Sequence, residues 1–132
     1  MSGPQRAAAR PLSPHLQIWR YHVTMLASIT HRITGSALYF GTFLIAAWLV
    51  ALAISPDAYA MMEGILVSIP GKIILFLWAV AVMFHLLNGI RHLIWDGPGI
   101  GFSPKVASQV STFIYVLAIV SAAALMYAAG AF

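Results

Sequence analysis

The stretch His85-Leu86-Leu87-Asn88-Gly89-Ile90-Arg91-His92-Leu93-Ile94-Trp95-Asp96 decides how this chain is read. It closes a long apolar segment, so it belongs on a helix inside a membrane. There it sets two histidines, an arginine, an asparagine and an aspartate where polar groups are costly. Ionisable residues at such depth are rare and usually functional. At about 3.6 residues per turn, Gly89, His92 and Asp96 fall within roughly 40° of His85. One helix face therefore carries two imidazoles with bare backbone between them. A flat, bulky cofactor fits such a patch, with His85 as an axial ligand, and imidazole is a common axial ligand of haem iron. Asp96 lies about 16 Å along the axis from His85. An Asp96 at the membrane surface puts His85 near mid-depth. The competing reading is a histidine that bonds a neighbouring helix, and this stretch alone leaves both open.

Composition sets the class. Of the 132 residues, 61% are hydrophobic and 8% charged, against about 25% charged in soluble chains. This is an integral membrane protein of one domain. It contains no cysteine, which excludes disulfides, thiolate-bound zinc and cysteine-bound iron–sulfur clusters. The formal net charge is +4. The basic residues sit at segment ends, so they report topology and local sites and not nucleic-acid binding.

Taken in order, the chain divides into an arm with an interfacial segment (1–22) and a membrane anchor domain (23–132). The expected spans are about 26–54, 70–94 and 106–129. Met1 to Arg10 lacks the apolar core of a signal peptide and reads as a disordered arm. Its arginines, Arg6 and Arg10, only faintly suggest a transit peptide. In Ser13-Pro14-His15-Leu16 the serine can cap a short helix with proline at its first position. Trp19 and Tyr21 are interfacial anchors. The run from Ile33 to Ile54 has no charge and is long enough to cross, which takes about 20 residues. At its entry Ser28 and Arg32 share a face, with His31 beside them. Arg32 is either a snorkelling cation or part of a site. Ser55 to Ile69 reads as a loop turned by Pro56-Asp57. Pro70 starts the second span. Gly97-Pro98-Gly99-Ile100-Gly101 is a tight connection, and Ser103-Pro104 opens a third span that serves packing. The fold class is thus all-α: three transmembrane helices in an up-down-up bundle.

Arg6, Arg10, Arg20 and Arg32 precede or open the first span, and Arg91 and Lys105 flank the second connection. The positive-inside rule places the N-terminus and that connection inside and the C-terminus outside. All five histidines then belong to the inner half. Two separated stretches converge at one depth.

Those stretches carry a resemblance. Ser13-Pro14-His15-Leu16, Ser28-Ile29-Thr30-His31-Arg32-Ile33-Thr34-Gly35 and the block from His85 to Asp96 together resemble the cytochrome b subunit of succinate dehydrogenase. That protein is one of two membrane anchors of respiratory complex II. The likeness runs from about Arg10 through the third span. It implies that His85 binds the iron of haem b, with the second axial ligand from the other membrane anchor. It also implies that Ser28 and Arg32 line the ubiquinone pocket, that His31, Arg91 and His92 lie close to the haem propionates, and that Arg32 is among the cofactor-binding residues. Trp19, where many relatives have tyrosine, and Tyr21-His22 depart from the family pattern.

The implied partners are a flavoprotein subunit, an iron–sulfur subunit, the second anchor and membrane lipid. The implied function is to anchor the succinate-oxidising subunits and help pass their electrons to ubiquinone, linking the tricarboxylic acid cycle to the respiratory chain. Such an anchor is not catalytic alone. Reduction puts negative charge on the quinone oxygens, which Arg32 stabilises and to which Ser28 donates a hydrogen bond. Arg91 suits a propionate because its fork forms paired bonds. Asp96 at a helix C-terminus opposes the dipole and is expected to pair with an arginine or a partner subunit. The expected location is a bacterial inner membrane with the N-terminus cytoplasmic, ahead of the mitochondrial inner membrane. The alternatives are an anchor of a quinol:fumarate reductase, a proton-relay membrane protein and a purely structural helix-packing protein. Fumarate reductase anchors often carry both haem ligands on one longer chain. The proton relay is disfavoured because the span middles hold no acid.

Overall fold

Ser55-Pro56, Ser68-Ile69-Pro70 and Ser103-Pro104 each open a helix in the computed structural model, which describes residues 13–130. A serine at the cap and a proline in the first turn suit the helix start, where backbone N–H groups lack partners. After a short 3-10 turn at His15–Ile18, the helices are α1 (Val23–Ile54), α2 (Pro56–Val67), α3 (Ile69–Asp96) and α4 (Pro104–Ala128). Helices α1, α3 and α4, of 32, 28 and 25 residues, are long and apolar enough to cross a membrane. No strand occurs among the described residues.

Two expectations change. Ser55–Ile69 is not a loop: α2 fills it. The Ser55 side chain accepts from Ala58 N at 3.1 Å, and Ser68 accepts from Gly71 N at 3.2 Å, so two caps set helices end to end. Ala58, Tyr59, Met62 and Leu66, at helical spacing, form its half-buried face. Pro14, in turn, is the cap of the 3-10 turn and not the first residue of a helix. Its carbonyl accepts from Gln17 N at 3.2 Å. Most of the arm, through Leu12, lies outside the described residues.

The tight connection after α3 is present. Gly97 N bonds Leu93 O at 2.9 Å, and Gly99 and Gly101 adopt φ of 68° and 86°. That left-handed backbone suits glycine. α4 packs through a stripe of small residues, Ala107, Ser111, Ala118 and Ala122, all buried. Small side chains let helix backbones approach closely, in keeping with the packing role expected of this span.

The three spans are antiparallel neighbours, with α3 in the middle. Phe84 is buried against Ala27, Ile114 and Ala118. A second cluster, Ala79, Ala122 and Met126, lies farther toward the other end. On the α1 side, a Cβ at Gly41 would collide with the Trp78 indole, so this glycine permits the α1–α3 approach. Only 6% of the most apolar α1 window is buried, against 28% for α4. Helix α1 is therefore the edge with most surface left for lipid or another chain.

Candidate functional site

The start of α1 meets the end of α3, and that meeting brings three histidines together. The rings of His31 and His85 stack with centroids 3.9 Å apart and planes 8° from parallel. The His92 ring lies 5.4 Å from that of His31. Sequence spacing alone put His85 and His92 on one face; the antiparallel packing adds His31 from another helix.

The hydrogen bonds of His85 fix what it can do. Nδ1 lies 3.2 Å from the Thr34 hydroxyl and 3.2 Å from the His31 carbonyl. The Thr34 hydroxyl donates to Thr30 O at 2.8 Å and to His31 O at 3.0 Å, so its single hydrogen is committed and it can only accept from the ring. A carbonyl only accepts. Nδ1 therefore carries a hydrogen, and in a neutral ring that leaves the lone pair on Nε2. Nε2 has no hydrogen-bond partner among the described residues. Its lone pair lies in the ring plane, whereas His31 covers the ring face and does not block that direction. One turn along, a Cβ at Gly89 would meet only His31 Cε1, at 3.9 Å, so the His31 ring borders the bare backbone there. No set of three or more His, Cys, Asp or Glu among the described residues could hold a bare metal ion. What the geometry offers is one imidazole nitrogen without a partner among the described residues, on a helix face where Gly89 leaves the backbone bare.

The other expected residues separate into two places. Ser28 is half-buried and Arg32 exposed, one turn apart on α1 near His31. Neither side chain has a hydrogen-bond partner among the described residues. Arg91 does not share the histidine face. Six residues turn α3 by about 120°, so its guanidinium points toward α4. It lies over Trp95 at 3.9 Å, and Nη1 donates to the buried Asn88 at 3.1 Å. Its Nε and Nη2 are buried and have no hydrogen-bond partner among the described residues. Arg91, Trp95, Ser103 and Val106 line a cavity of about 500 Å³ between the end of α3 and the start of α4. Asp96 is exposed and forms no ion pair among the described residues.

Sequence reading missed Thr34, Thr30, Asn88 and Trp95 as members of these clusters. Thr34 had a signal: it follows His31 by three residues and so shares its face. Trp95 had one too, four residues after Arg91.

Comparison with known proteins shows the family. Residues 6–125 match the family model described as succinate dehydrogenase/fumarate reductase transmembrane subunit. The chain belongs to this family. It is 45% identical over 102 residues to the succinate dehydrogenase cytochrome b556 subunit of Paracoccus denitrificans, covering 77% of this chain and 78% of the relative. The corresponding subunit of Rickettsia bellii is 37% identical, with 83% and 85% covered. The mitochondrial cytochrome b560 subunit of Mus musculus is 37% identical, with 88% and 69% covered. Family membership makes the chain a membrane anchor of the succinate dehydrogenase complex that is not catalytic alone, and it fits the three long apolar helices.

Proposed function

We propose that His85 Nε2 is an axial ligand of haem b, with the second axial ligand from the other membrane anchor. The observation that carries this is the tautomer: both partners of Nδ1 are acceptors, which leaves the lone pair of a neutral imidazole on Nε2. The cytochrome b names of the relatives and the absence of a side chain at Gly89 on the same helix face support it. Haem b, when bound, supplies one-electron redox capacity at this depth. His31 and His92 flank the ligand and stand nearest the propionates in this reading, with Arg32 as a nearby cation. Arg91 faces α4, so a propionate meets its free Nε and Nη2 only by extending around α3.

Ubiquinone binds, in the same proposal, at Ser28 and Arg32. Their unpaired side chains stand on the least covered helix, so the rest of the pocket wall comes from other subunits. Arg32 there holds the charge that develops on a quinone oxygen, and Ser28 donates a hydrogen bond. The flavoprotein and iron–sulfur subunits dock on the inner face. The membrane is a bacterial inner membrane, with the N-terminus cytoplasmic by the positive-inside rule.

In the assembled complex, His85→Ala should remove or strongly alter haem b absorption, while succinate oxidation with an artificial acceptor persists. An unchanged spectrum overturns the ligand assignment. Arg32→Gln should impair quinone reduction and spare the artificial-acceptor reaction. Equal loss of both activities means failed assembly and removes the support for a quinone role.

A further inference from the structure

The hydroxyl that orders His85 belongs to a residue outside the expected haem and quinone sets. Thr34 is 9% exposed, and the geometry around its oxygen is fully used. It donates back to the carbonyls of Thr30 and His31 and receives the Nδ1 hydrogen of His85. A threonine in a helix adopts this back-bonded rotamer readily, so the oxygen is aimed before His85 meets it. Thr30 is itself tied to α4, because its hydroxyl lies 2.7 Å from Tyr115 OH. The next residue, Gly35, closes the other side: a Cβ there would come within 2.9 Å of His85 Cε1. The His85 ring is therefore stacked by His31, bonded by Thr34 and hemmed by the Gly35 backbone.

We propose that Thr34 is a positioning residue for His85, and that its hydroxyl, through Nδ1, sets the electron-donating strength of Nε2 toward a bound haem iron. This rests on the reading of His85 as the axial ligand. The physical link is general. An acceptor on the remote N–H of a ligating imidazole fixes its tautomer and orientation and makes the ring a better donor to the metal. A better donor favours the oxidised metal and so lowers its midpoint potential. The His31 carbonyl gives a second acceptor, which is part of the backbone and persists in any side-chain variant. Loss of Thr34 should therefore tune the site and not abolish it.

The test compares Thr34→Val and Thr34→Ser in the complete complex, with His85→Ala as control. The readouts are haem per flavin, the midpoint potential of haem b and its low-spin electron paramagnetic resonance signal. Thr34→Val keeps the shape and removes the acceptor. It should retain haem, raise the midpoint potential and shift the resonance, whereas Thr34→Ser should stay near the parent values. If Thr34→Val does not assemble, Thr34→Ala carries the same expectation without the branched side chain. A hydroxyl-free variant with haem bound and both readings unchanged overturns the proposal. So does a Thr34→Ser variant that shifts as far as Thr34→Val, because packing and not the hydroxyl would then be responsible. If His85→Ala keeps the parent haem spectrum, the ligand assignment fails first, which is a separate result.

Discussion

His31 lies flat against His85, ring centroid to ring centroid at 3.9 Å, while its own backbone carbonyl takes a hydrogen bond from the other ring's Nδ1. One residue thus meets His85 twice, once through its side chain and once through its backbone. The two contacts are separable by mutation. His31→Ala deletes the stack and keeps the carbonyl. It should leave haem bound and weaken the site by about 1 kcal/mol, the worth of a stacked ring pair. Thermal release of the haem absorbance checks this. Complete haem loss would show that the ring does more than pack.

Gly35 is the tightest point of the α1–α3 crossing near the site. Gly35→Ala places a methyl 2.9 Å from His85 Cε1, so the ring or α1 must shift. Overpacking of this kind costs about 1–3 kcal/mol. The expected result is lower haem content and an altered haem spectrum. Gly64→Ala on α2, where a Cβ would meet nothing within 4 Å, is the matched control and should change neither.

Tyr115 and Thr30 form the polar tie between α1 and α4. Tyr115→Phe keeps the ring against Phe84, whose centroid is 4.7 Å away, and removes only the hydroxyl. A loss of about 1 kcal/mol in thermal stability is expected, the net worth of one hydrogen bond. The haem spectrum should stay as it is, because Thr34 bonds the Thr30 carbonyl and not its hydroxyl.

Arg91 offers two buried donors that nothing among the described residues satisfies. A buried guanidinium left partly unpaired is costly, so an anion from outside the chain should complete it. Arg91→Lys loses the planar fork, the stack on Trp95 and the bond to Asn88 together. Haem content and midpoint potential decide which anion is involved. A fall in haem content with assembly intact places a propionate there. Unchanged haem with a less stable complex places an anion from another protein chain or from lipid there instead.

Much of the fold was legible because a membrane restricts the options. Uncharged runs of sufficient length must be helices, since hydrocarbon leaves no other way to satisfy the backbone. Serine and proline marked where α4 begins. Pro70 likewise marks where the second span begins, but at Ser55-Pro56 the sequence reads as a turn through Pro56-Asp57, and the segment as a loop. Half-buried contacts of Ala58, Tyr59, Met62 and Leu66 explain why it is helical.

The site divides along a similar line. Periodicity along α3 was enough to put His85, Gly89 and His92 on one face, because that relation lies within a single helix. Tertiary structure alone decided that His31 stacks on His85, that Thr34 holds Nδ1, and that Arg91 turns away to Trp95 and α4. Those relations depend on how α1 and α4 sit against α3. Small residues such as Gly35, Gly41 and Ala118 set that distance through close packing, and a small residue does not specify which residue of another helix it meets.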